Sequence, residues 1–343
     1  MKNKVYNGLD VLKVLAAIGI VAVHTGATGI NTLGRLGVPF FAIVSSMLFF
    51  SKYEQMGRVQ QSKYLIHFIK RIGTLFLCWQ VFYLPSAAIY LVHDMHQYGT
   101  ENGSLQFIRH FIFPPLPLTN GWGQSWYLIG MLIGMPLFIL ILKALKQVIT
   151  GVLCLLLYLF YVVYCTGYHF WNGLHYFPHW LVYFLGTVGS RSFPILLIFI
   201  FLGLTIVQKI KYINSLTTKL ATQIMLIALV GYSLENLILL KQIGEIDNVM
   251  VLMTGPASFM LAVFGMKWQV KLKNGLFWRR FSTFLYCIHI GIIHCFDVVK
   301  IILQVQLNAF FVMTITIIIS YLVYLLFNYL LEKRKWHWLK WLV

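Results

Sequence analysis

Long apolar stretches separated by short polar segments make up most of this chain. A bilayer core of roughly 30 Å takes about 20 helical residues to cross. By that length the pattern predicts eleven candidate spans, at residues 9–29, 36–51, 64–92, 125–143, 147–167, 176–190, 193–210, 220–240, 247–266, 281–300 and 308–331. The predicted fold is therefore an all-α, polytopic transmembrane helix bundle, with one membrane-embedded domain over residues 1–343.

Basic segments between the apolar stretches constrain the topology, because cytoplasmic loops carry an excess of Lys and Arg. These segments are residues 52–71, 143–146, 209–219, 267–280 and 332–340. Eleven crossings counted from a cytoplasmic N-terminus place the first two segments inside and the last three outside. All five lie inside if 176–190 and 193–210 form one broken or re-entrant crossing. Gly189, Arg191 and Pro194 interrupt the apolar sequence there. The prediction is about ten crossings with both termini cytoplasmic.

Composition excludes several classes of protein. Of 343 residues 59% are apolar and 10% are charged, which is far from the balance of a soluble domain. A formal charge of +18 suggests nucleic-acid binding in a soluble protein, but here the cations are spread over the short loops. The cysteines lie in apolar stretches without a C-x-x-C pair, and the histidines lack metal-ligand spacing, so neither a disulfide nor a metal site is predicted. We expect no nucleic-acid partner.

Ionisable residues inside the first apolar stretch are the strongest functional signal. Lys13 and His24 are eleven positions apart, so a helix places them on nearly one face, roughly 16 Å apart along its axis. Asp10, three residues before Lys13, is placed to pair with it. The alternative is that Asp10 and Lys13 lie at the membrane interface and His24 bonds a neighbouring helix. These charges also argue that the stretch stays in the mature chain and is not a cleaved signal peptide.

The same stretch, "LDVLKVLAAIGIVAVH", resembles the first-helix signature of the acyltransferase-3 family, in which Arg or Lys is followed after ten residues by His. Four further segments resemble that family in its order: "RLGVPFFAIVSSMLFF", "SWYLIGML", "HWLVYFLGTVGSR" and "FSTFLYCIHIGI". Two segments depart from the family's pattern. Ser45-Ser46 stands where Ser-Gly is usual, and Lys70 and Arg71 are adjacent where the family often has two arginines three apart.

The resemblance implies a membrane acyltransferase of the bacterial cytoplasmic membrane. Such enzymes take an acyl group from cytoplasmic acyl-coenzyme A and place it on an outer hydroxyl or amine, often on a cell-surface glycan. An O-acetyltransferase using acetyl-coenzyme A is the form we expect here. The donor's phosphates require cations, and the candidates for holding the donor are Lys13, Lys70 and Arg71, with Ser45 and Ser46.

The candidates for catalysis are His24, Asp10, His289 and Glu235. His24 is the predicted general base, since imidazole accepts and releases protons near neutral pH. His289 either orients His24 or the donor, or is a core histidine. Glu235, an acid in an apolar stretch, is either functional or the buried partner of a cation.

Two other classes of function stay open at the level of sequence. The family resembles the membrane half of vancomycin-resistance serine racemases, and "RLGVPFFAIVSS" is similar to that branch, so a transporter of a small polar solute such as an amino acid is the main alternative. An inactive scaffold is the third possibility. Dependence on coenzyme A distinguishes an enzyme from a transporter. The membrane lipids are expected partners, and the oligomeric state is left open.

Overall fold

The computed structural model describes residues 6–112, 121–165, 193–243 and 250–342, together with residues 168 and 180. Helices account for nearly all of this part of the chain, and no strand occurs in it, which confirms the all-α class. Seven helical stretches in the described ranges are long and apolar enough to cross a membrane. The number of crossings and the side on which each terminus lies stay predictions. The proposed broken crossing at 176–194 falls mostly outside the described residues.

The α-helices have the following bounds: α1 Asn7–Thr25, α2 Ile30–Gly34, α3 Gly37–Tyr53, α4 Arg58–Phe82, α5 Leu84–Tyr98, α6 Thr100–Ile112, α7 Trp126–Ala144, α8 Gln147–Cys165, α9 Phe193–Gln208, α10 Ile210–Ser215, α11 Thr218–Ile243, α12 Thr254–Lys267, α13 Gly275–Leu303 and α14 Ala309–Lys333. A short 3-10 turn precedes α7, and another, His337–Leu342, follows α14. The spans predicted at 9–29, 36–51, 125–143, 220–240, 281–300 and 308–331 each coincide with one long helix.

Two predicted spans are wrong in their bounds. The span at 64–92 is not one helix, because α4 ends at Phe82 and a new helix, with a proline in its first turn, begins at Leu84. Proline lacks the N–H that would continue the preceding helix, and it is well suited to a first turn. The span at 247–266 begins only at Thr254 and is 14 residues long, shorter than the roughly 20 residues that a full crossing takes.

The chain forms two compact units that alternate along the sequence. The first unit comprises Met1–Ser45, Thr205–Asn236 and Met253–Val343, and the second comprises Ser46–Leu204 and Leu237–Leu252. In the first unit α1 packs against α2, α12, α13 and α14, so four helices surround the one that carries the conspicuous ionisable residues. That residues 1–343 form one domain stays a prediction.

Small residues allow this close packing around α1. A Cβ on Gly8 would lie 2.5 Å from the carbonyl oxygen of Gly265 on α12, and a Cβ on Gly19 would lie 2.8 Å from the Cα of Gly34. Reciprocally, a Cβ on Gly34 would overlap the backbone carbonyl of Gly19. The backbone of α1 therefore touches the backbones of its neighbours directly, as small residues permit between membrane helices.

Replacing Gly34 with alanine is expected to lower the melting temperature of the detergent-solubilised protein clearly. The added methyl meets backbone atoms of α1, which cannot rotate away, and such overpacking costs about 1–3 kcal/mol. Gly57→Ala is the matched control, because nothing lies within 4 Å of its Cβ position and its φ of −69° suits alanine. Equal melting temperatures for the two variants would contradict this description of the α1–α2 contact.

In the second unit α4 packs against α7, α5 against α6, and α7 against α8. An aromatic cluster packs at the end of α4. The ring of Trp122 stacks on Tyr83, with 5.3 Å between ring centroids, and on Phe76, with 5.9 Å. The hydroxyl of Tyr158 on α8 donates a hydrogen bond of 2.6 Å to the carbonyl of Val251. These contacts shape the second unit without involving the candidate catalytic residues.

Candidate functional site

His24 lies in the last turn of α1, which ends at a glycine cap. Gly26 has a left-handed φ of 74° and donates its N–H to the carbonyl of Ala22, which closes the helix after Thr25. Glycine adopts this conformation without the steric cost that a Cβ brings. The helix therefore stops directly beyond His24, whose side chain is exposed.

The imidazole of His24 lies against a second imidazole, that of His289 on α13. Their ring centroids are 5.2 Å apart, and the ring planes are inclined by 45°. His289 is fully buried, and its Nδ1 lies 3.0 Å from the carbonyl oxygen of Leu285 one turn earlier on the same helix. His289 therefore lies in the core and beside His24, and its orienting role stays a prediction.

The hydrogen bond to Leu285 determines the chemical state of the His289 ring. A carbonyl oxygen only accepts, so Nδ1 carries the hydrogen, and in a neutral ring Nε2 then presents a lone pair. No hydrogen-bond partner reaches Nε2, although the atom is buried. Nε2 of His289 is thus a buried, unsatisfied acceptor in a ring that lies beside His24.

At the other end of α1, Asp10 forms an ion pair with Arg279 of α13. Arg279 donates from Nε to Oδ1 and from Nη2 to Oδ2, each over 2.9 Å. The Asp10 side chain is 2% exposed and that of Arg279 is 45% exposed. Bidentate pairs of this kind are strong and directional, so the pair fixes the register of α1 against α13. The sequence suggested Lys13 as the partner of Asp10, whereas in the structure the partner is Arg279.

Arg279 is a residue that sequence reasoning missed as part of the site. It lies in the basic segment 267–280, which was interpreted only as a marker of the cytoplasmic side. Its signal was available, since it stands ten residues before His289 on one continuous helix, as Lys13 stands eleven before His24. Asp10 meets Arg279 near the starts of both helices, and His24 at the end of α1 lies against His289 in the middle of α13.

Lys13 is buried, with 8% of its surface exposed, and shares the uninterrupted helix α1 with His24. The predicted spacing of roughly 16 Å along the axis therefore holds in the folded chain. A buried ammonium group in an apolar helix is costly, and such residues by default indicate a functional site.

Glu235 has a structural contact that the sequence did not predict. Its Oε2 accepts a hydrogen bond of 2.7 Å from the backbone N–H of Met253, which directly precedes α12. The first N–H groups of a helix lack partners within the helix, and a carboxylate placed there satisfies one of them and complements the helix dipole. Glu235 thus holds the start of α12, one of the helices packed on α1.

The candidates for holding the donor are divided between the two units. Lys13 and Ser45 belong to the first unit, whereas Lys70, Arg71 and Ser46 belong to the second. Lys70 and Arg71 are exposed on α4. Ser46 is buried, and no partner reaches its hydroxyl oxygen. The structure brings His24 and His289 together, and nothing in it tests the donor assignments.

No cluster of three or more His, Cys, Asp or Glu side chains suited to a metal ion occurs among the described residues. His169, His175 and His179 lie outside that part of the chain.

A family model described as an acyltransferase domain, that of the acyltransferase-3 family, matches residues 6–325. No curated protein and no solved structure matches the chain. The matched range contains both histidines of the pair and the Asp10–Arg279 ion pair.

Proposed function

Since this chain belongs to the acyltransferase-3 family and is a multi-pass membrane acyltransferase, we propose that it transfers a short acyl group from cytoplasmic acyl-coenzyme A to an acceptor on the opposite side of the membrane. Acetyl-coenzyme A is the proposed donor. A hydroxyl of a cell-surface glycan is the proposed acceptor, in the cytoplasmic membrane of a bacterium. The observation that carries the proposal is the exposed His24 against the buried His289, at one end of the helix whose other end holds Lys13.

The reaction needs a group that takes and returns a proton, and His24 is suited to it. His24 accepts the proton of the acceptor hydroxyl while the hydroxyl oxygen forms a bond to the thioester carbonyl carbon. The carbon–sulfur bond then breaks, and the leaving thiolate takes the proton from the His24 imidazolium. The products are an ester and free coenzyme A thiol, and His24 returns to its starting state. A positioned general base of this kind contributes about 10²- to 10⁴-fold.

Lys13 is proposed to attract the donor. The phosphates of coenzyme A are anionic, and a cation in a poorly solvated place attracts them more strongly than one in water. Lys13 is buried at the end of α1 that is predicted to face the cytoplasm. Lys70 and Arg71 on α4 are also proposed to attract the phosphates, through charges that are exposed.

The proposal is tested with sealed membrane vesicles of both orientations and radiolabelled acetyl-coenzyme A added outside. Inside-out vesicles should transfer label to their envelope glycan, and right-side-out vesicles should not, because the donor is charged and does not cross the bilayer. Lys13→Ala should raise the donor KM by about tenfold or more with little change in kcat, since one charge-assisted contact is worth about 1.5–3 kcal/mol.

Lys13→Arg is the matched variant and should recover most of the donor affinity, because either cation binds a phosphate. Transfer that is equal from both faces would contradict the sidedness. Uptake of a polar solute without any need for acetyl-coenzyme A would favour a transporter over an acyltransferase.

A further inference from the structure

We propose that His289 is a positioning residue, which accepts a hydrogen bond from His24 through Nε2 and thereby determines which nitrogen of His24 acts as the base. This inference rests on the proposed function of His24. It assigns to each ring nitrogen of the pair a separate task.

The hydrogen bond at Nδ1 leaves Nε2 as the atom through which the His289 ring can accept a further hydrogen bond. Its Nδ1–H is used by the carbonyl of Leu285, and burial leaves the ring no access to solvent. Nε2 is consequently an acceptor without a donor. A buried acceptor in that condition is unfavourable, so a purely structural core histidine is a poor explanation of this atom. The imidazole of His24, whose centroid lies 5.2 Å from that of His289, carries an N–H that can supply the donor.

The distance between the rings fits a nitrogen-to-nitrogen hydrogen bond. An imidazole nitrogen lies roughly 1.1 Å from its ring centroid, so two rings joined in line by a bond of about 2.9–3.0 Å have centroids roughly 5.1–5.2 Å apart. The observed separation is 5.2 Å. The bond is not formed in this structure, and catalytic hydrogen bonds often align only when the substrate is bound.

This hydrogen bond has two consequences for His24. One nitrogen of His24 must carry the hydrogen that it donates to His289, so the other nitrogen presents its lone pair to the acceptor hydroxyl. When His24 takes up the hydroxyl proton, the contact becomes a charge-assisted hydrogen bond, which is stronger than the neutral one. Removal of His289 takes this orienting contact away from His24, as in other pairs of base and orienting group.

The test compares His289→Leu with His289→Gln in the acetyl-transfer assay with radiolabelled acetyl-coenzyme A. Leucine fills a similar volume without an acceptor, whereas the amide oxygen of glutamine reaches about as far as Nε2. His289→Leu should lower kcat by about 10- to 100-fold with the donor KM unchanged, as for other residues that orient a functional group. His289→Gln should recover much of kcat. His294→Gln, on the same helix and half-buried, is the matched control and should behave like wild type.

Combination with His24→Ala separates this inference from the proposed function. If His289 acts through His24, adding His289→Leu to His24→Ala should cause no further loss, because the two residues form one unit. A double variant that loses the full product of both effects would overturn the inference, as would a His289→Leu protein with wild-type kcat. An active His24→Ala protein would instead remove the proposed role of His24, and absence of acetyl transfer from the wild-type protein would remove the proposed function itself.

Should His289→Leu fail to fold, His289→Gln and His289→Asn take its place at matched melting temperature. The shorter asparagine amide reaches the position of Nδ1 and not that of Nε2. Retained kcat in the glutamine variant with reduced kcat in the asparagine variant supports the inference, and equal kcat in both contradicts it.

Discussion

His24→Ala is expected to lower acyl transfer by about 10²- to 10⁴-fold while the donor KM stays close to that of the wild type. The side chain is exposed at the end of α1, so its removal leaves no buried cavity and should not unfold the protein. It is the proposed group that holds the hydroxyl proton as the thioester is attacked. Its loss should therefore appear in kcat, because the interaction is made in the transition state and not with the bound donor.

Transfer of label from acetyl-coenzyme A is the measurement, in vesicles that contain equal amounts of each variant. His96→Ala, which removes an exposed histidine from α5, is the matched control and should transfer at the wild-type rate. A folded His24→Ala protein with wild-type kcat would end the catalytic assignment. A structural histidine predicts the opposite pattern: a lower melting temperature for His24→Ala, with recovery of activity in His24→Gln.

Arg279→Gln is expected to be the most destabilising of the single substitutions considered, by about 2–4 kcal/mol. It leaves the carboxylate of Asp10, 2% exposed, without its bidentate partner in an apolar helix. Asp10→Asn should cost less, because the remaining charge is on Arg279, whose side chain is 45% exposed and can be solvated. The asymmetry follows from burial, since the lone charge is costly only where water cannot reach it.

Melting temperatures of the purified variants in detergent measure this effect. The double variant Asp10→Asn/Arg279→Gln should be more stable than Arg279→Gln alone, because no uncompensated charge is left. Arg280→Gln changes the neighbouring cation without touching the ion pair and is the matched control. A greater loss of stability in Asp10→Asn than in Arg279→Gln would show that the pair is not organised as described.

Hydropathy and short-range spacing were sufficient for much of the fold. Runs of apolar residues long enough to cross a bilayer predicted the all-α class and most of the long helices. The separation of Lys13 and His24 predicted that one helix carries both. These properties depend on residues close together in sequence, and helix geometry converts them directly into positions. The break between α4 and α5 was also within reach, because Pro85 lacks the N–H that would continue the preceding helix and is well suited to the first turn of a new one.

Partners far apart in sequence were beyond this reasoning. Asp10 was assigned to Lys13, its helical neighbour, whereas its bidentate partner Arg279 lies 269 residues away. The sequence made Glu235 a candidate for catalysis or for pairing with a cation. Only the structure shows that its carboxylate accepts a hydrogen bond from the backbone N–H of Met253 at the start of α12. In each case the sequence indicated a polar group that needs a partner, but the choice among partners was made by helix packing.

The sequence by itself determined that this is a helical membrane protein, that its first helix carries a cation and an imidazole on nearly one face, and that it resembles the acyltransferase-3 family. Only the tertiary structure decided that His24 meets His289, and that Asp10 is bound by Arg279. The physical reason is the range of the interactions. Hydropathy and helical periodicity act along the chain, whereas the meeting of α1 and α13 depends on contacts such as the ion pair of Asp10 with Arg279, 269 residues apart, which no local pattern encodes.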